Sequence, residues 1–350
     1  MRLWRLQKVA SEMKISVALC TYNGERFLEE QLQSIAAQTR PPDEVIVSDD
    51  ASADGTVSLL HDFAQRNALS IRVSVNKRPL GVLKNFEKAI GMCGGDVIFL
   101  CDQDDVWHPD KMRIQSDLMA DETVVMVFSE AVTVTHDLEP LLPRMSSATF
   151  TERAKTGLSS DLFGFLLERN IVTGMTMAIR SSALKVAVPF PTDIPETIHD
   201  GWLAVVASLM GRCVFVDKPL VKYRQHPNQI IGANTIYRNE EGKVGLSRRD
   251  SMEKYRQNSE YNIQRLQKLY EHLEHQVFSQ ILPSKRQAAV AAWNRELDYW
   301  KDRADHFATR VALPISRSSR ILSIWKEVRN RRYFRYSNGV GSMLKDLVTK

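Results

Sequence analysis

Three carboxylates stand close together in the segment LCDQDDVWHPDKM, residues 100–112. Asp102 and Asp104 form an Asp-x-Asp pair, and Asp105 follows directly. Carboxylates repel one another and are costly to bury without a partner. Their hard oxygens suit Mg²⁺ or Mn²⁺, which often complete their shell with water and substrate phosphates. The segment therefore predicts a divalent-cation site that serves a phosphorylated ligand, and the alternative is that these acids cap a helix near Pro109.

A second acidic group follows another apolar run, in the segment SDDASADGT. Asp49 and Asp50 could accept hydrogen bonds from a base or a ribose. Asp, Ser and Gly also form turns, so these acids and Asp54 could simply shape the loop. Both interpretations stay open at this point.

Two further side chains could take part in acid–base or metal chemistry. Asp200 lies in ETIHDGWLAVVASLMG, at the predicted start of a helix, and could act as a general base or as a helix N-cap. His226 follows a predicted strand in YRQHPNQ and could bind a divalent ion or be structural.

The acids lie in segments that alternate with helical ones. Short apolar runs, KISVALC, DEVIVSDD, IRVSV and GDVIFL, predict four strands, and the stretches between them predict helices. Strands that alternate with helices predict a parallel α/β sheet. Ligands of such sheets bind at the carboxyl ends of the strands, where TYNG, SDDASADGT and CDQDD follow. These three loops are therefore expected to meet in one crevice.

Composition indicates an ordinary globular protein. The chain has 350 residues, of which 43% are hydrophobic and 25% are charged. No apolar run approaches the roughly 18 residues of a membrane span, and no signal peptide is expected. The four cysteines are scattered, which predicts a reduced, cytoplasmic protein without a zinc site.

Charge divides the chain into two parts. By count, residues 241–350 carry 22 Lys and Arg against 12 Asp and Glu, whereas the first 240 carry 25 against 30. We predict two domains, residues 14–235 and 236–350, and the second contains two amphipathic helices. RCVFVDKPLVKYRQH predicts a last pair of strands at the end of the first.

The segment from Arg310 onward interleaves ten basic residues with apolar and aromatic ones and has two acids. Basic and aromatic side chains suit an anionic membrane surface, so peripheral contact with the inner face of the membrane is predicted. The alternatives are that its apolar residues pack against the catalytic domain or that it binds nucleic acid. No recognition motif accompanies the charge, so we expect no nucleic-acid partner.

Several motifs occur in a characteristic order. They are ISVALCTYNGERFLEEQLQSIAAQTRPPDEVIVSDDASADGT, GVLKNFEKAI, DVIFLCDQDDVWHPDKM, TGMTMAI, HDGWLAVVA and YRQHPNQIIG. Over residues 14–233 the chain resembles the family 2 inverting glycosyltransferases, and the later motifs resemble a bacterial rhamnosyltransferase-like branch. The resemblance implies the GT-A fold, a Rossmann-like, mostly parallel sheet, here followed by a helical C-terminal extension.

The resemblance also implies roles for matching positions. It implies that Asp104 binds Mg²⁺ or Mn²⁺, that His226 adds a metal or diphosphate contact, and that Asp200 is the catalytic base. The nucleotide-sugar site would be formed by Thr21, Tyr22, Asn23, Asp49, Lys84 and Asp102, and from its place in the loop SDDASADGT we predict Asp50 there as well.

The implied reaction moves a sugar, with L-rhamnose as one candidate, from a dTDP- or UDP-linked donor to a lipid-linked or polysaccharide acceptor in surface-glycan synthesis. One alternative is a sugar-nucleotide nucleotidyltransferase, which would favour a Gly-rich basic loop after the first strand; TYNGERF is not such a loop. The other is a non-catalytic partner subunit that binds nucleotide sugars, and the intact set of acids argues against it.

Overall fold

The computed structural model describes residues 12–142, 144–145, 162–195, 198–227, 229, 248–314 and 316–348. The strands are β1 (Ile15–Thr21), β2 (Glu44–Asp49), β3 (Ile71–Val75), β4 (Val97–Cys101), β5 (Val106–Trp107), β6 (Val124–Val134), β7 (Pro140–Leu142), β8 (Met177–Arg180) and β9 (Arg212–Arg224). The helices are α1 (Glu25–Ala36), α2 (Thr56–Arg66), α3 (Val82–Met92), α4 (Lys111–Met119), α5 (Leu162–Glu168), α6 (Ser181–Ala187), α7 (His199–Met210), α8 (Arg248–Gln276), α9 (Pro283–Val311), α10 (Arg317–Arg329), α11 (Arg332–Tyr336) and α12 (Val340–Val348).

One sheet in the order β3-β2-β1-β4-β8-β6-β9-β5 organises the N-terminal part, and β7 pairs with β6. Strands β3, β2, β1 and β4 are parallel, as the alternating pattern predicted. Strand β8 runs antiparallel to both of its neighbours, β4 and β6. The α/β fold class is thus confirmed, and the antiparallel strand is an addition to the prediction.

The central strands are apolar on both faces because helices cover them. All seven residues of β1 are buried, as expected for a strand in the middle of a parallel sheet. Helix α1 places Leu28, Leu32 and Ile35 in the core, each fully buried. Their helical spacing is the pattern that predicted this helix.

The predicted last pair of strands is wrong, because residues 212–224 form the single strand β9. Its pairing with β6 shifts register on both sides of Glu130, which lies opposite Pro219. Proline lacks the amide proton that a regular ladder needs, and a bulge accommodates it without ending the strand. The strand therefore continues to Arg224, just before His226.

The chain divides into two compact units. The sheet unit comprises residues 1–192, 196–232 and 272–286, and the helical unit comprises residues 193–195, 233–271 and 287–350. In the helical unit, the rings of Tyr270 and Trp293 lie 4.6 Å apart, and the Trp293 indole donates to the Leu266 carbonyl. The predicted domain boundary near residue 235 stays a prediction.

Among the described residues, no helix is long and apolar enough to cross a membrane.

Candidate active site

A cavity of about 420 Å³ opens in the sheet unit at the carboxyl ends of β1 and β4. Its walls come from the loops that the sequence placed there and from the start of α7. The lining residues used below are Thr21, Tyr22, Asp50, Phe86, Asp102, Gln103, Asp104, Gly174, His199, Asp200 and His226. The predicted crevice therefore exists, and it brings together most of the predicted site residues.

The loop after β1 is held by the loop after β4. The Gln103 side chain accepts a hydrogen bond from the Tyr22 amide at 2.8 Å and donates one to the Tyr22 carbonyl at 3.0 Å. A Cβ atom at Gly24 would lie 2.2 Å from Gln103 Oε1, so a larger residue there would displace the Gln103 side chain. Gln103, the middle residue of the Asp-x-Asp pair, thus fixes the position of Tyr22 beside the acids.

The loops after β1 and β2 are also joined. The Asn23 amide donates to Ser52 Oγ at 2.9 Å, and the Asn23 side chain accepts from the Ala53 amide at 2.8 Å. Asn23 adopts a positive φ of 48°, a conformation that Asn tolerates better than most residues. These contacts place Asn23 between the loops, and it is not among the cavity-lining residues.

Asp49 is fully buried below the cavity. Its carboxylate accepts hydrogen bonds from Thr21 Oγ1 at 2.8 Å and from Ser52 Oγ at 2.6 Å. Because these neighbours occupy its oxygens, the structure assigns Asp49 to the support of the loops. Thr21 lines the cavity, and the predicted contact of Asp49 with a base stays a prediction.

Asp50 both shapes a loop and lines the cavity. Its carboxylate accepts from the amides of Leu80 and Gly81 at 2.7 and 2.9 Å, and from the Asn76 side chain at 2.8 Å. These hydrogen bonds agree with the turn-forming interpretation of Asp50, and Asp50 also lines the cavity. Asp54 accepts from the Thr56 amide and hydroxyl and does not line the cavity, so its contacts are those of a turn residue.

Lys84 forms an ion pair within helix α3. Its ammonium group lies 2.9 and 3.0 Å from the two carboxylate oxygens of Glu87, one turn along α3. Glu87 in turn accepts from the Phe190 amide at 2.5 Å. Lys84 is not among the cavity-lining residues, so its predicted contact with the nucleotide would require this ion pair to open.

Asp104 and His226 approach each other at one end of the cavity. The distance between Asp104 Oδ2 and His226 Nε2 is 2.9 Å. Burial, followed by the charges of Asp104 and Asp200, raises the pKa of Asp102 to about 8. Asp50, Asp102, Asp104 and Asp200 all line the cavity, and no Lys or Arg is among its described lining residues. This arrangement of acids favours a bound positive ion.

The side chains at this site fit a divalent cation whose coordination shell is completed by the bound phosphates and water. Within the described ranges, no group of three or more His, Cys, Asp and Glu side chains forms a ready-made cation site. Mg²⁺ needs only one or two carboxylates when phosphate oxygens and water supply the rest. Asp104 with His226, and Asp102 nearby, meet that requirement.

Asp105 and Arg224 support the segment that carries Asp104. Asp105 is fully buried and accepts from the Arg224 amide at 3.2 Å. The Arg224 guanidinium, also buried, donates to the Asp104 carbonyl at 2.7 Å and pairs with Glu30 at 2.5 Å. The predicted capping role of Asp105 is wrong, because the N-cap of α4 is Asp110. Its contact with the Arg224 amide instead joins the end of β9 to the segment that carries Asp104.

Asp200 reaches the cavity from the first turn of α7. Its carboxylate accepts from Asn170 Nδ2 at 3.0 Å and from the Gly174 amide at 3.2 Å. Burial raises the pKa of Asp200 to about 6, and these hydrogen bonds oppose the rise. The N-cap of α7 is Ile198, so the capping alternative for Asp200 is wrong. The carboxylate can instead accept a proton near neutral pH.

His199 is a cavity residue that sequence reasoning left without a role. Its ring stacks on Phe86 with centroids 3.9 Å apart, and neither ring nitrogen has a hydrogen-bond partner among the described residues. Burial lowers the pKa of His199 to about 3, so the ring is neutral. It contributes an uncharged wall beside Asp200.

Three supporting residues, Gln103, Asn170 and Arg224, were not predicted from the sequence. Each acts through a contact between residues at least 30 positions apart. Only the position of Gln103 between two acids gave a local signal.

Residues 16–185 match the family described as glycosyl transferase family 2. The dTDP-rhamnosyl transferase RfbG of Shigella flexneri is 29% identical over 241 residues, which cover 66% of this chain and 79% of that protein. TuaG of Bacillus subtilis, whose name assigns it to teichuronic acid biosynthesis, is 28% identical over 127 residues, 36% of this chain and 50% of TuaG.

Two solved structures share the fold. Residues 1–349 of TarS from S. aureus superpose with a TM-score of 0.53 at 19% identity, covering 85% of this chain and 91% of that one. A mannosyltransferase from Pyrobaculum calidifontis, solved with GDP-Man and Mn²⁺, has a TM-score of 0.51 at 19% identity and covers 100% and 94%. At this identity the likeness shows the fold alone.

Proposed function

Residues 16–185 form a family 2 glycosyltransferase domain of the rhamnosyltransferase-like branch, as the sequence predicted, and from this premise we propose that the protein glycosylates a bacterial surface glycan. The acceptor would be a lipid-linked or polysaccharide intermediate. The observation that carries the proposal is that a buried carboxylate, Asp200, shares one cavity with Asp102, Asp104 and His226.

The donor would be a nucleoside diphosphate sugar. The loops that carry Tyr22 and Asp50 line the part of the cavity suited to the nucleoside, and Asp104 and His226 would hold Mg²⁺ or Mn²⁺. Such an ion supplies Lewis-acid stabilisation of the departing diphosphate. A Mn²⁺-bound relative of the same fold supports a divalent cation, and the Asp104–His226 distance of 2.9 Å supports these ligands.

Asp200 would act as the general base. A carboxylate with a pKa of about 6 is ionised at neutral pH and remains basic enough to take the proton of an acceptor hydroxyl. Oxygen then attacks the anomeric carbon as the bond to the diphosphate breaks on the opposite face, and the proton stays on Asp200. This sequence inverts the configuration at the anomeric carbon.

L-rhamnose carried by dTDP is the sugar that we propose first. RfbG, the relative that is 29% identical, is named a dTDP-rhamnosyl transferase, which supports this choice. The reaction would take place on the cytoplasmic side of the inner membrane, where a lipid-linked acceptor would be within reach of a peripheral protein.

The test is a panel of dTDP-L-rhamnose, UDP-glucose and UDP-GlcNAc, with release of sugar and nucleoside diphosphate measured with and without a chelator. We expect one donor to be turned over only with Mg²⁺ or Mn²⁺. Asp104→Asn should lose this activity and weaken Mn²⁺ binding, because a site with so few ligands loses one charge.

The control is Asp117→Asn, which changes an exposed aspartate of α4 and should keep full activity. Release of pyrophosphate would instead identify a nucleotidyltransferase. Binding of a donor without any turnover, with or without acceptor, would favour the non-catalytic partner subunit.

A further inference from the structure

Helix α10 of the helical unit exposes the side chains that a soluble helix normally buries. Ile321, Leu322 and Trp325 are 59%, 75% and 56% exposed. The opposite face carries Arg320 and Glu327, which are 5% and 1% exposed. A surface helix of a soluble protein shows the reverse arrangement, with its apolar stripe towards the core.

Helix α12 repeats the reversal. Val340, Leu344 and Val348 follow one another every four residues and are 50%, 52% and 61% exposed. The helix buries Asp346 instead, at 5% exposure. Residues four apart lie on one face of a helix, so α12 presents an apolar stripe outward. Helices α10 and α12 pack against each other.

Buried polar contacts fix this orientation. The Arg310 guanidinium donates to Asp346 at 2.7 Å, and the Tyr333 hydroxyl donates to the same carboxylate at 2.6 Å. Glu327 pairs with His306 at 2.6 Å and accepts from Arg332 at 3.1 Å. Turning either helix to hide its apolar stripe would leave buried charges without partners, which costs several kcal/mol per pair.

Within residues 316–348 the exposed charge has one sign, and Arg335 lies 4.0 Å from Asp302 of α9. Over residues 316–348, the acids are Glu327 and Asp346, and both are buried. Exposed basic side chains flank the apolar ones, together with Phe334, which is 58% exposed. The exposed basic residues are Lys326, Arg329, Arg331, Arg335 and Lys345.

We propose that the face formed by α10, α12 and Phe334 docks this protein on an anionic lipid bilayer. Apolar and aromatic side chains enter the headgroup region while basic ones meet lipid phosphates. A second copy of the chain would bring the same basic residues against each other, so it fits this face less well. The docking surface goes beyond the proposed reaction and does not depend on which sugar is transferred.

The experiment uses the full chain and sediments it with vesicles. We expect binding to phosphatidylcholine vesicles that contain phosphatidylglycerol, weaker binding at high salt, and little binding to phosphatidylcholine alone. Replacing Leu322 and Trp325 together by glutamine should weaken binding by about tenfold or more. Both side chains are more than half exposed, so the thermal unfolding of this variant should match that of the wild type.

Matched controls distinguish docking by this face from nonspecific binding to vesicles. Leu282→Gln removes a side chain of the sheet unit that is 65% exposed and should leave vesicle binding unchanged. Lys326→Gln should weaken binding about fivefold, because a basic residue near an anionic leaflet contributes about 1 kcal/mol. Lys185→Gln, an exposed lysine of α6, should have no effect.

Three results would overturn the proposal. They are equal vesicle binding by the double variant and the wild type, equal binding to neutral and anionic vesicles, and self-association in solution that the double variant abolishes. The last result would show that a second copy covers the face. Vesicle binding by Asp200→Asn separates docking from transfer, since an inactive protein should still bind.

Discussion

The two units of this protein bury acids in opposite ways. In the sheet unit, burial raises the pKa values of Asp102 and Asp200 to about 8 and about 6, and the charges of neighbouring acids add to the rise only for Asp102. In the helical unit, Glu327 and Asp346 are equally buried but contact His306 and Arg310 at 2.6 and 2.7 Å. Among the described residues, no Lys or Arg pairs with these two acids of the sheet unit, whereas Arg332 and Arg310 pair with Glu327 and Asp346.

This difference distinguishes acids that can bind a ligand from acids that only stabilise the fold. A buried charge with a full set of partners has nothing further to bind, whereas a cluster of acids without a cation is ready for a ligand that brings one. The same charge therefore indicates a site in the sheet unit and a structural contact in the helical unit. Matched substitutions in the two units can test this interpretation.

The largest effect is expected for Asp200→Asn. The amide keeps the shape of the side chain but cannot accept a proton, so kcat should fall by about 10²–10⁴-fold. Donor affinity should change little, because the substitution keeps the size and shape of the side chain. Initial rates beside a donor-binding isotherm measure both. If the variant kept the wild-type rate, Asp200 would not be the general base.

The corresponding change in the helical unit is Asp346→Asn. It leaves the buried Arg310 without its charged partner, and loss of one member of such a pair typically costs about 3–5 kcal/mol. We expect the free energy of unfolding of the helical unit to fall by about this amount, while the folded protein keeps its kcat at low temperature. Denaturant unfolding checks the first point and initial rates the second. If kcat fell with no loss of stability, the contrast between the units would fail.

A smaller effect is expected from pH. At saturating metal, kcat/KM should rise with pH through about 6, because the base works only after Asp200 loses its proton. Asn170→Ala removes a hydrogen bond that favours the ionised form, so the acid limb of the profile should move to higher pH. A limb that does not move in this variant would mean that another group controls it.

Local patterns in the sequence were enough to predict the sheet and the edge where the site lies. Alternating apolar runs predicted the four parallel strands, and Asp102, Asp104 and Asp200 line one cavity as expected. Contacts between distant residues were not predictable in this way. The contact of Asn170 with Asp200, 30 positions along the chain, is an example. The predicted contact of Lys84 with the nucleotide stays a prediction.

The exposure of the last helices illustrates the same limit. The sequence showed basic and apolar residues interleaved after Arg310, but not which of them face inward. Ile324 and Tyr333 are buried, whereas Leu322 and Trp325 are exposed. Membrane contact and packing against the first domain both stay predictions, and the structure shows only which side chains of the segment are exposed.

The smallest effect is expected for a change at Gln103. This side chain holds the loop of Tyr22 beside Asp102 and Asp104 and so fixes the geometry of the cavity. Gln103→Ala removes two hydrogen bonds to the Tyr22 backbone. Tyr22 is 44% exposed, so water can replace them, and each is worth only about 1 kcal/mol. We expect the Kd for a nucleoside diphosphate with Mn²⁺ to rise about tenfold, with no change in thermal stability. The matched control is Gln33→Ala, which removes an exposed glutamine bonded to Glu29 on α1, and calorimetry compares the two variants.

Equal affinities would show that the loop keeps its position without Gln103. A loss of stability in place of affinity would assign this residue to the architecture, as with Asp346.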